Sequence, residues 1–378
     1  MKILHLISVG PLSGAEKHLR HLLPGLKKKG ITCDLIIVTS QKTAGAFTDF
    51  CNELNELDVK TTLLVSGKFS LIQTAKKINR YLRTNKIDIV HSHLFYGDLT
   101  AAILKTLFNR NLYLISTKHG YQEQVLQQYE PGKTYQPNNL YYYITKLFLR
   151  KINKNLAVSK AIADLYYNIK LTKTRYPFIH HGIDIKDFNK EIFRAECRKA
   201  PKQLIIVGRI ELFKGHRFLI NALSIVLLKY PETVLMILGE GSEKNNCIEQ
   251  VNRLGLQNNV QFLGFKPHPY SYISLSDVII LPSLFEPFGL VYIESFALKT
   301  PVVAFNTPAA NEIIVNNETG LLVDKGDSKL LAEKIILLLE NPEISRKITE
   351  AAFLKYKTSF TTEIMIQKTA DWYLSLRI

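Results

Sequence analysis

Residues 286–294 read EPFGLVYIE, a glutamate at each end with Pro287, Phe288 and Gly289 directly behind the first. Earlier, VGRIELFKGH (207–216) puts Arg209 and Lys214 between an apolar run and the start of an amphipathic one. A guanidinium and an ammonium in one short loop suit a diphosphate, since Arg binds it through two parallel hydrogen bonds and Lys adds a compact charge. Pro287 suits the approach to a helix start, and Gly289 lets backbone come close to a ligand. The free N–H groups of Gly289, Leu290 and Val291 would then point at an anion, with the helix dipole behind them. If 289–298 is helical, Glu294 lies just over one turn in and can accept hydrogen bonds from both hydroxyls of a ribose. Glu286, in the loop before the helix, can meet sugar hydroxyls. Taken singly, each acid reads equally as a cap or a solvated side chain, and each cation as a loop residue in water. The four together point to a phosphate-bearing ligand. A paired-carboxylate hydrolase is a poor fit. Eight positions along one helix separate Cα atoms by about 12 Å and about 80°, whereas retaining glycosidases hold their carboxyls about 5 Å apart.

The first half carries its own polar groups at the ends of apolar runs. PLSGAE (11–16) follows the first, and Gly14 there opens a helix and can approach the same diphosphate. VHSHLFYGD (90–98) carries His91 and His93, and STKHGY (116–121) carries His119. An i, i+2 pair on a strand faces one side, so His91 and His93 could share a metal. No carboxylate pattern completes such a site and no D-x-D occurs, so the expectation is no metal. These histidines read instead as donors to sugar hydroxyls or as core residues. Nucleotide-binding signatures of other kinds are missing. There is no GxxxxGK[ST], GEGSEK lacks the third glycine of GxGxxG, and GPLSGAE has the wrong spacing.

What positions these groups is a run of short apolar segments alternating with amphipathic ones, the mark of βαβ units and a parallel sheet. KILHLISV (2–9), CDLIIVTS (33–40), 61–65, 88–91 and 112–117 read as strands, with helices at 14–29, 70–84 and 97–108. The pattern restarts at QLIIVGRI (203–210). Helix 216–229 follows with Phe218, Leu219, Ala222, Leu223, Val226 and Leu227 on one stripe. Strands at 233–241, 260–265, 277–283 and 301–305 come next, and helix 289–298 lies between the last two. The fold class is α/β, two Rossmann-like doubly wound parallel sheets in tandem, whose strand ends would face across a cleft. The expected domains are 1–183 and 184–360, with 180–202 a linker of weak periodicity. Residues 361–378 form a last helix, with Met365, Thr369, Trp372 and Leu376 in one stripe, packed back on the first domain.

Composition agrees. A chain of 378 residues with 46% hydrophobic content supports two cores. No apolar run approaches the roughly 18 residues of a membrane span. MKILHLISVG reads as a strand, because His5 interrupts it and no small-x-small cleavage site follows. Cys33, Cys51, Cys197 and Cys247 are scattered without a CxxC, which fits a reducing cytoplasm. The net charge is +16, and it is lopsided: residues 1–180 hold 26 Lys and Arg against 11 acids, residues 181–378 hold 23 against 22. A basic half suits an anionic partner such as a phospholipid or lipid diphosphate, or else is a lysine-rich solvated surface.

The pairing of GRIELFKGH with EPFGLVYIESFALKTPVVA resembles the retaining family-4 glycosyltransferases (glycosyl transferases group 1) of the GT-B fold. SGAEKHL, DIVHSHLF, NLAVSKAI (155–162), HHGID (180–184), GEGSE (239–243) and VQFLGF support it in the family's order along nearly the whole chain. The resemblance implies that Arg209 and Lys214 neutralise a donor diphosphate, that Glu286 contacts the transferred sugar, and that Glu294 holds the nucleotide ribose. Backbone at Gly14 and at Gly289, Leu290 and Val291 completes the phosphate cradle, with Phe288 and Gly241 beside it. Phe265 and Lys266 border the base, His119 lies near the sugar's 6-hydroxyl, and His93 lies closer to the acceptor. Two departures stand out: SGAE with Ser13 where a Gly-Gly pair is usual, and NTPAANEII (306–314) in place of a Gly-rich turn before Glu312.

The implied activity is metal-independent transfer of a hexose or N-acetylhexosamine from a nucleotide-diphosphate sugar, a UDP-sugar by frequency, with retention of configuration. The acceptor would be lipid-linked or a surface polysaccharide. KTYQPNNLYYYITKLFLRKINK (133–154) mixes aromatics with cations and suits an anionic membrane surface, so the expected place is the inner face of the membrane, peripherally. The alternatives are a nucleotide-sugar epimerase or hydrolase of the same fold, a dinucleotide oxidoreductase, and a nucleic-acid binder suggested by charge alone.

Overall fold

The computed structural model describes residues 1–8, 14–66, 70–121, 137–185, 201–266 and 269–376. The chain divides into two compact units, Met1–Gly182 with Thr362–Ile378, and Ile183–Thr361.

The first unit holds a six-stranded parallel sheet in the order β3-β2-β1-β4-β5-β6. Its strands are β1 (Lys2–Ser8), β2 (Thr32–Thr39), β3 (Thr61–Val65), β4 (Ile89–His93), β5 (Tyr113–Lys118) and β6 (Lys154–Ala157). Strands β1, β2, β4 and β5 are buried almost throughout, as a sheet covered on both faces requires. Helices α1 (Gly14–Lys28), α2 (Thr48–Glu56), α3 (Leu71–Asn85), α4 (Leu94–Leu107), α5 (Leu140–Leu149) and α6 (Lys160–Asn168) connect them. The order reverses between β1 and β4, whose register sets His5 beside His91 and Ile7 beside His93. In such sheets the crevice at the carboxyl ends of the two reversing strands is where ligands bind.

The second unit repeats the plan, in the order β12-β11-β10-β7-β8-β9. Its strands are β7 (Lys202–Val207), β8 (Thr233–Leu238), β9 (Val260–Gly264), β10 (Val278–Leu281), β11 (Val302–Phe305) and β12 (Leu321–Val323). Helices α7 (His216–Leu227), α8 (Lys244–Arg253), α9 (Tyr270–Leu275), α10 (Leu290–Ala297), α11 (Pro308–Ile313), α12 (Ser328–Glu340) and α13 (Pro342–Ser359) flank it. The switch point lies between β7 and β10. The expected stripe of α7 is the buried one, with Leu219, Ala222, Leu223 and Val226 inaccessible and Phe218 and Leu227 partly covered. Edge strands β6 and β12 have no counterpart in the sequence reading, because four and three residues are too few to show a period. Most of the expected linker lies outside the described residues. Its described parts are residues 180–185 and 201–202, and Ile183 N–H donates to Phe360 O at 3.0 Å.

The last helix, α14 (Thr362–Leu374), belongs to the first unit and packs on α1. Its buried stripe is Met365, Ile366, Thr369, Ala370 and Tyr373, and the expected stripe lies against the core but leaves out Tyr373. Tyr373 can be buried whole because its hydroxyl finds histidine partners in the core. The contact is close: a Cβ on Gly25 of α1 would sit 2.1 Å from Ile366 Cδ1. Gly25→Val is therefore expected to destabilise the first unit by about 1–3 kcal/mol through overpacking. In thermal unfolding, Gly25→Val combined with Ile366→Ala should lose less than the sum of the two single changes.

Candidate active site

In the second unit the chain leaves β7 through Gly208 and Arg209, and leaves the neighbouring β8 through Gly239. The two exits are zipped together: Gly208 N–H donates to Leu238 O and Ile210 N–H to Glu240 O, both at 2.9 Å. The backbones come so near that a Cβ on Gly239 would lie 1.9 Å from Gly208 O, and one on Gly241 2.2 Å from Ile210 O. Past Arg209, a 3₁₀ turn at Leu212–Lys214 ends in Gly215, at φ 74°. A Cβ there would lie 1.9 Å from Pro282 O in the exit of β10. Lys214 is thereby pressed toward the loop that carries Glu286, and its Nζ donates to Glu286 Oε2 at 2.5 Å. Arg209 and Lys214 share one support: their cationic groups lie 5.6 and 5.5 Å from the ring centre of buried Phe213.

Gly289, at φ 89°, is the N-cap of α10, and no side chain caps that helix. The first-turn amides of Gly289, Leu290 and Val291 are thus the unspent donors that an anion would use. A pocket of about 50 Å³ opens there, bounded by Gly208, Lys214, His216, Ser283, Glu286 and residues 289–292. Glu294 sits one turn further along, 5% exposed. Phe288 is buried, its ring 6.2 Å from that of Phe360. Beyond β9, Phe265 stands 71% exposed and Lys266 Nζ lies 5.9 Å from the Tyr272 ring. Glu312, on α11, is half-buried, and its carbonyl accepts from Lys355 at 3.4 Å.

His216 joins these groups without having been singled out from its segment. It begins α7 and lines the pocket, is 3% exposed, and neither ring nitrogen has a hydrogen-bond partner among the described residues. Burial, and then the Lys214 charge, lower its pKa to about 4. Its place directly after KG, at a helix start, is the signal that could have found it. Phe213 carries no such signal, since a buried aromatic in a loop reads as core.

In the first unit the histidines form a cluster. His5 on β1 and His91 and His93 on β4 are buried, and His119 follows β5. His5 Nδ1 and His93 Nε2 are 3.0 Å apart, as are His93 Nδ1 and His119 Nε2. His93 thus stands behind His119 with both ring nitrogens engaged. His91 Nε2 pairs with Thr117 Oγ1 at 2.7 Å and its Nδ1 with the Tyr373 hydroxyl. His181 and His18 pair through their Nδ1 atoms at 2.9 Å. Burial lowers the pKa of His5 to about 3, and burial together with the Lys118 charge does the same for His119. Lys118 itself is buried against Asp98 at 2.5 Å, and the same carboxylate accepts from Ser92 and Ser116 at 2.6 Å each. His5, His91 and His93 offer nitrogens within 4.8 Å of one another, the donor set of a three-histidine metal site. Those nitrogens are occupied by one another, by Tyr373 and by Thr117. Gly14 starts α1, and the loop before it, with Ser13, lies outside the described residues.

The structure thus brings Lys214, Glu286, Gly289, Leu290 and Val291 to one pocket, while Arg209 is not among the residues that bound it and shares with Lys214 the support of the Phe213 ring. It puts Glu294 on the same helix and hydrogen-bonds His93 to His119. His5 could have been noticed as a polar residue at the centre of an apolar strand, and His181 from the pair in HHGID.

Two family descriptions divide the chain between them. Glycosyltransferase Family 4 matches residues 12–187 and Glycosyl transferases group 1 matches residues 187–355. A stretch of 182 residues is 31% identical to glycogen synthase of Mycobacterium tuberculosis, spanning 48% of this chain and only 44% of that relative's length. D-inositol 3-phosphate glycosyltransferase of Corynebacterium urealyticum is 24% identical over 97% of this chain and 92% of its own. Among solved structures, HepE of Anabaena in complex with UDP and glucose has a TM-score of 0.83 over 100% of both chains at 21% identity, a likeness of fold.

The neutral His216 makes a signed prediction. Its folded pKa of about 4 lies below the unfolded value of 6.5. Above pH 6.5 both states are neutral and it contributes no pH dependence. As pH falls from 6.5 to 4 the unfolded chain takes up the proton first, and stability declines by on the order of 3 kcal/mol. Below that range no more is lost. Urea unfolding of the second unit between pH 7 and 4 should show this slope, and His216→Gln should flatten it.

Proposed function

We propose that this chain, which belongs to the family-4 glycosyltransferases of the GT-B fold, moves a hexose or N-acetylhexosamine from a UDP-sugar to a lipid-linked or surface-polysaccharide acceptor, with retention of configuration. The observation that carries this reading is the meeting of Lys214, Glu286 and the three free amides of α10 at one pocket, with Arg209 braced on the same ring as Lys214. The binding of UDP and glucose by HepE, and of UDP-glucose in a further structure of it, supports a uridine donor.

The chemistry follows from the groups at hand. The diphosphate leaves with its electrons, so negative charge grows on the phosphate oxygen as the bond to the anomeric carbon lengthens. Lys214, Arg209 and the amides of Gly289, Leu290 and Val291 meet that charge with donors already in place, the preorganised stabilisation that contributes most to such a step. No metal is required, because side-chain cations and a helix end supply the counter-charge. Before the donor arrives, Glu286 holds Lys214. On binding, the ammonium is shared with phosphate, and the carboxylate is released toward the hydroxyls of the sugar. Glu294 takes the ribose, while Phe265, Lys266 and the backbone at Gly241 flank the base side. The acceptor hydroxyl attacks from the face the diphosphate is leaving and gives its proton to the departing oxygen, so no separate base is needed. His119 donates to the sugar.

Lys214→Ala and Arg209→Ala should each lower kcat by about 10²-fold or more with little change in melting temperature. Nucleoside diphosphate release in the presence and absence of acceptor measures this and separates transfer from hydrolysis or epimerisation. Rates like wild type in both variants would remove the diphosphate role.

For the acceptor, the support lies on α5. Leu140, Tyr143 and Leu147 are 74%, 55% and 62% exposed, three to four residues apart on one face, with Arg150, Lys151 and Lys154 exposed just beyond. An apolar ridge flanked by cations suits the interface of an anionic leaflet, and no helix among the described residues is long and apolar enough to cross one. The protein should pellet with anionic vesicles at low salt and be released by salt, since each surface cation is screened beyond a Debye length. Leu147→Asp should weaken pelleting. Failure of wild type to pellet would count against a membrane-bound acceptor.

A further inference from the structure

We propose that His5 and His93 are positioning residues that act, through a hydrogen-bonded relay anchored on Tyr373 of the last helix, to couple the valence that Nδ1 of His119 offers to a bound sugar to the tautomers of the rings behind it. The functional half of this proposal rests on the reading of His119 given above; the relay itself does not.

The relay runs Thr117–His91–Tyr373–His5–His93–His119. Its links are Thr117 Oγ1 to His91 Nε2 at 2.7 Å and His91 Nδ1 to the Tyr373 hydroxyl. The hydroxyl then meets His5 Nε2 at 3.3 Å, His5 Nδ1 meets His93 Nε2 at 3.0 Å, and His93 Nδ1 meets His119 Nε2 at 3.0 Å. A neutral imidazole has one N–H and one bare nitrogen. Each link needs one proton, so the choice made at one link dictates the next. Only two arrangements satisfy every link and also place the Tyr373 hydroxyl proton within one. In one, protons point from Thr117 toward His119, and Nδ1 of His119 carries hydrogen and donates. In the other they point back, and Nδ1 is bare and accepts. Tyr373 fits either, because a hydroxyl accepts on one side and donates on the other.

Protonating a member breaks the relay, since an imidazolium turns two N–H groups outward and one would face another N–H. That adds to the burial cost of charging any ring, and the pKa values of His5, His91, His93 and His119 are all lowered. The other titratable groups around the chain are consistent with neutral rings. His18 and His181 pair with each other and pack on His119, with ring centres 5.8 and 5.5 Å away. Lys118 is neutralised by Asp98, and the Cys33 thiol near Tyr373 is held protonated by burial. The relay also explains why α14 returns to this unit with a tyrosine at its buried centre. Among the described residues it is this hydroxyl that joins the His91 end to the His5 end.

Tyr373→Phe tests this, because it removes the joint and keeps the ring. The protein, labelled with nitrogen-15 at histidine, would be read by NMR at neutral pH without substrate. The expected result is that the tautomer populations of His5, His93 and His119 change together on going from the wild type to Tyr373→Phe, with unfolding still cooperative. With donor and acceptor, kcat should fall about tenfold, roughly the worth of one hydrogen bond, with donor KM unchanged. His93→Gln gives a second break, should Tyr373→Phe fold poorly. Unchanged tautomers in both variants would overturn the relay, as would one tightly held zinc or cobalt per chain that replaces the links. Coupled tautomers in a protein that transfers no sugar would leave the relay standing and sink the reading of the site.

Discussion

The second unit depends on one constraint: backbone must touch backbone where its strands end. The exits of β7 and β8 meet at Gly208 and Gly239, and the turn after β7 meets the exit of β10 at Gly215 and Pro282, in both cases with no room for a side-chain carbon. Loops held this way cannot drift, so the cations they carry are rooted in a fixed backbone. Arg209 is exposed, yet it lies within the zipped segment, between Gly208 and Ile210, and leans on a buried ring. A long, flexible side chain loses less on binding when its root and stem are already placed.

The same constraint sets the electrostatics. Pressing the Lys214 turn against the β10 exit leaves an ammonium and a carboxylate half-buried and in contact. Neither charge is stranded, which avoids the heavy cost of a lone buried ion. On the proposed function the pair is also exchangeable: a diphosphate would offer Lys214 more charge than Glu286 does, and the freed carboxylate would then be an acceptor for sugar hydroxyls. An acid next to the lysine would be counterproductive for anion binding taken alone. It makes sense for a ligand that carries both phosphate and hydroxyls.

Much of this was legible in the residues. The tandem βαβ pattern, the alternation of strands and helices, and the two motifs after β7 and β10 depend on local signals: periodicity, a Pro-Phe-Gly turn, and cations beside glycines. These signals survive in one dimension. What was not legible is what the sheet itself creates. His5 and His91 are 86 residues apart and become neighbours only through the β1–β4 register. Tyr373 reaches them from the far end of the chain, and the expected stripe of Met365, Thr369, Trp372 and Leu376 lies against the core but leaves out Tyr373, whose histidine partners were invisible in the sequence. Phe213 is a support for two cations rather than anonymous core, a role visible only once ring and charges are seen together. Edge strands of three or four residues offer no period at all.

The histidine cluster poses the sharper physical question, because an apolar core would be simpler. Several imidazoles at the carboxyl end of a buried sheet forgo hydrophobic burial and must all find partners, since an unsatisfied buried nitrogen costs more than the bond gains. A cluster of this kind is stable only if it is complete, and it is complete only with Tyr373 in place. The last helix therefore does more than cover an apolar groove on α1. It closes a polar circuit that the first 182 residues leave open, so the polar core of the first unit is finished by a segment that the chain reaches only after passing through the whole second unit. A leucine at 373 could fill the same space on α1, but it would leave His91 Nδ1 and His5 Nε2 without the hydroxyl that joins them.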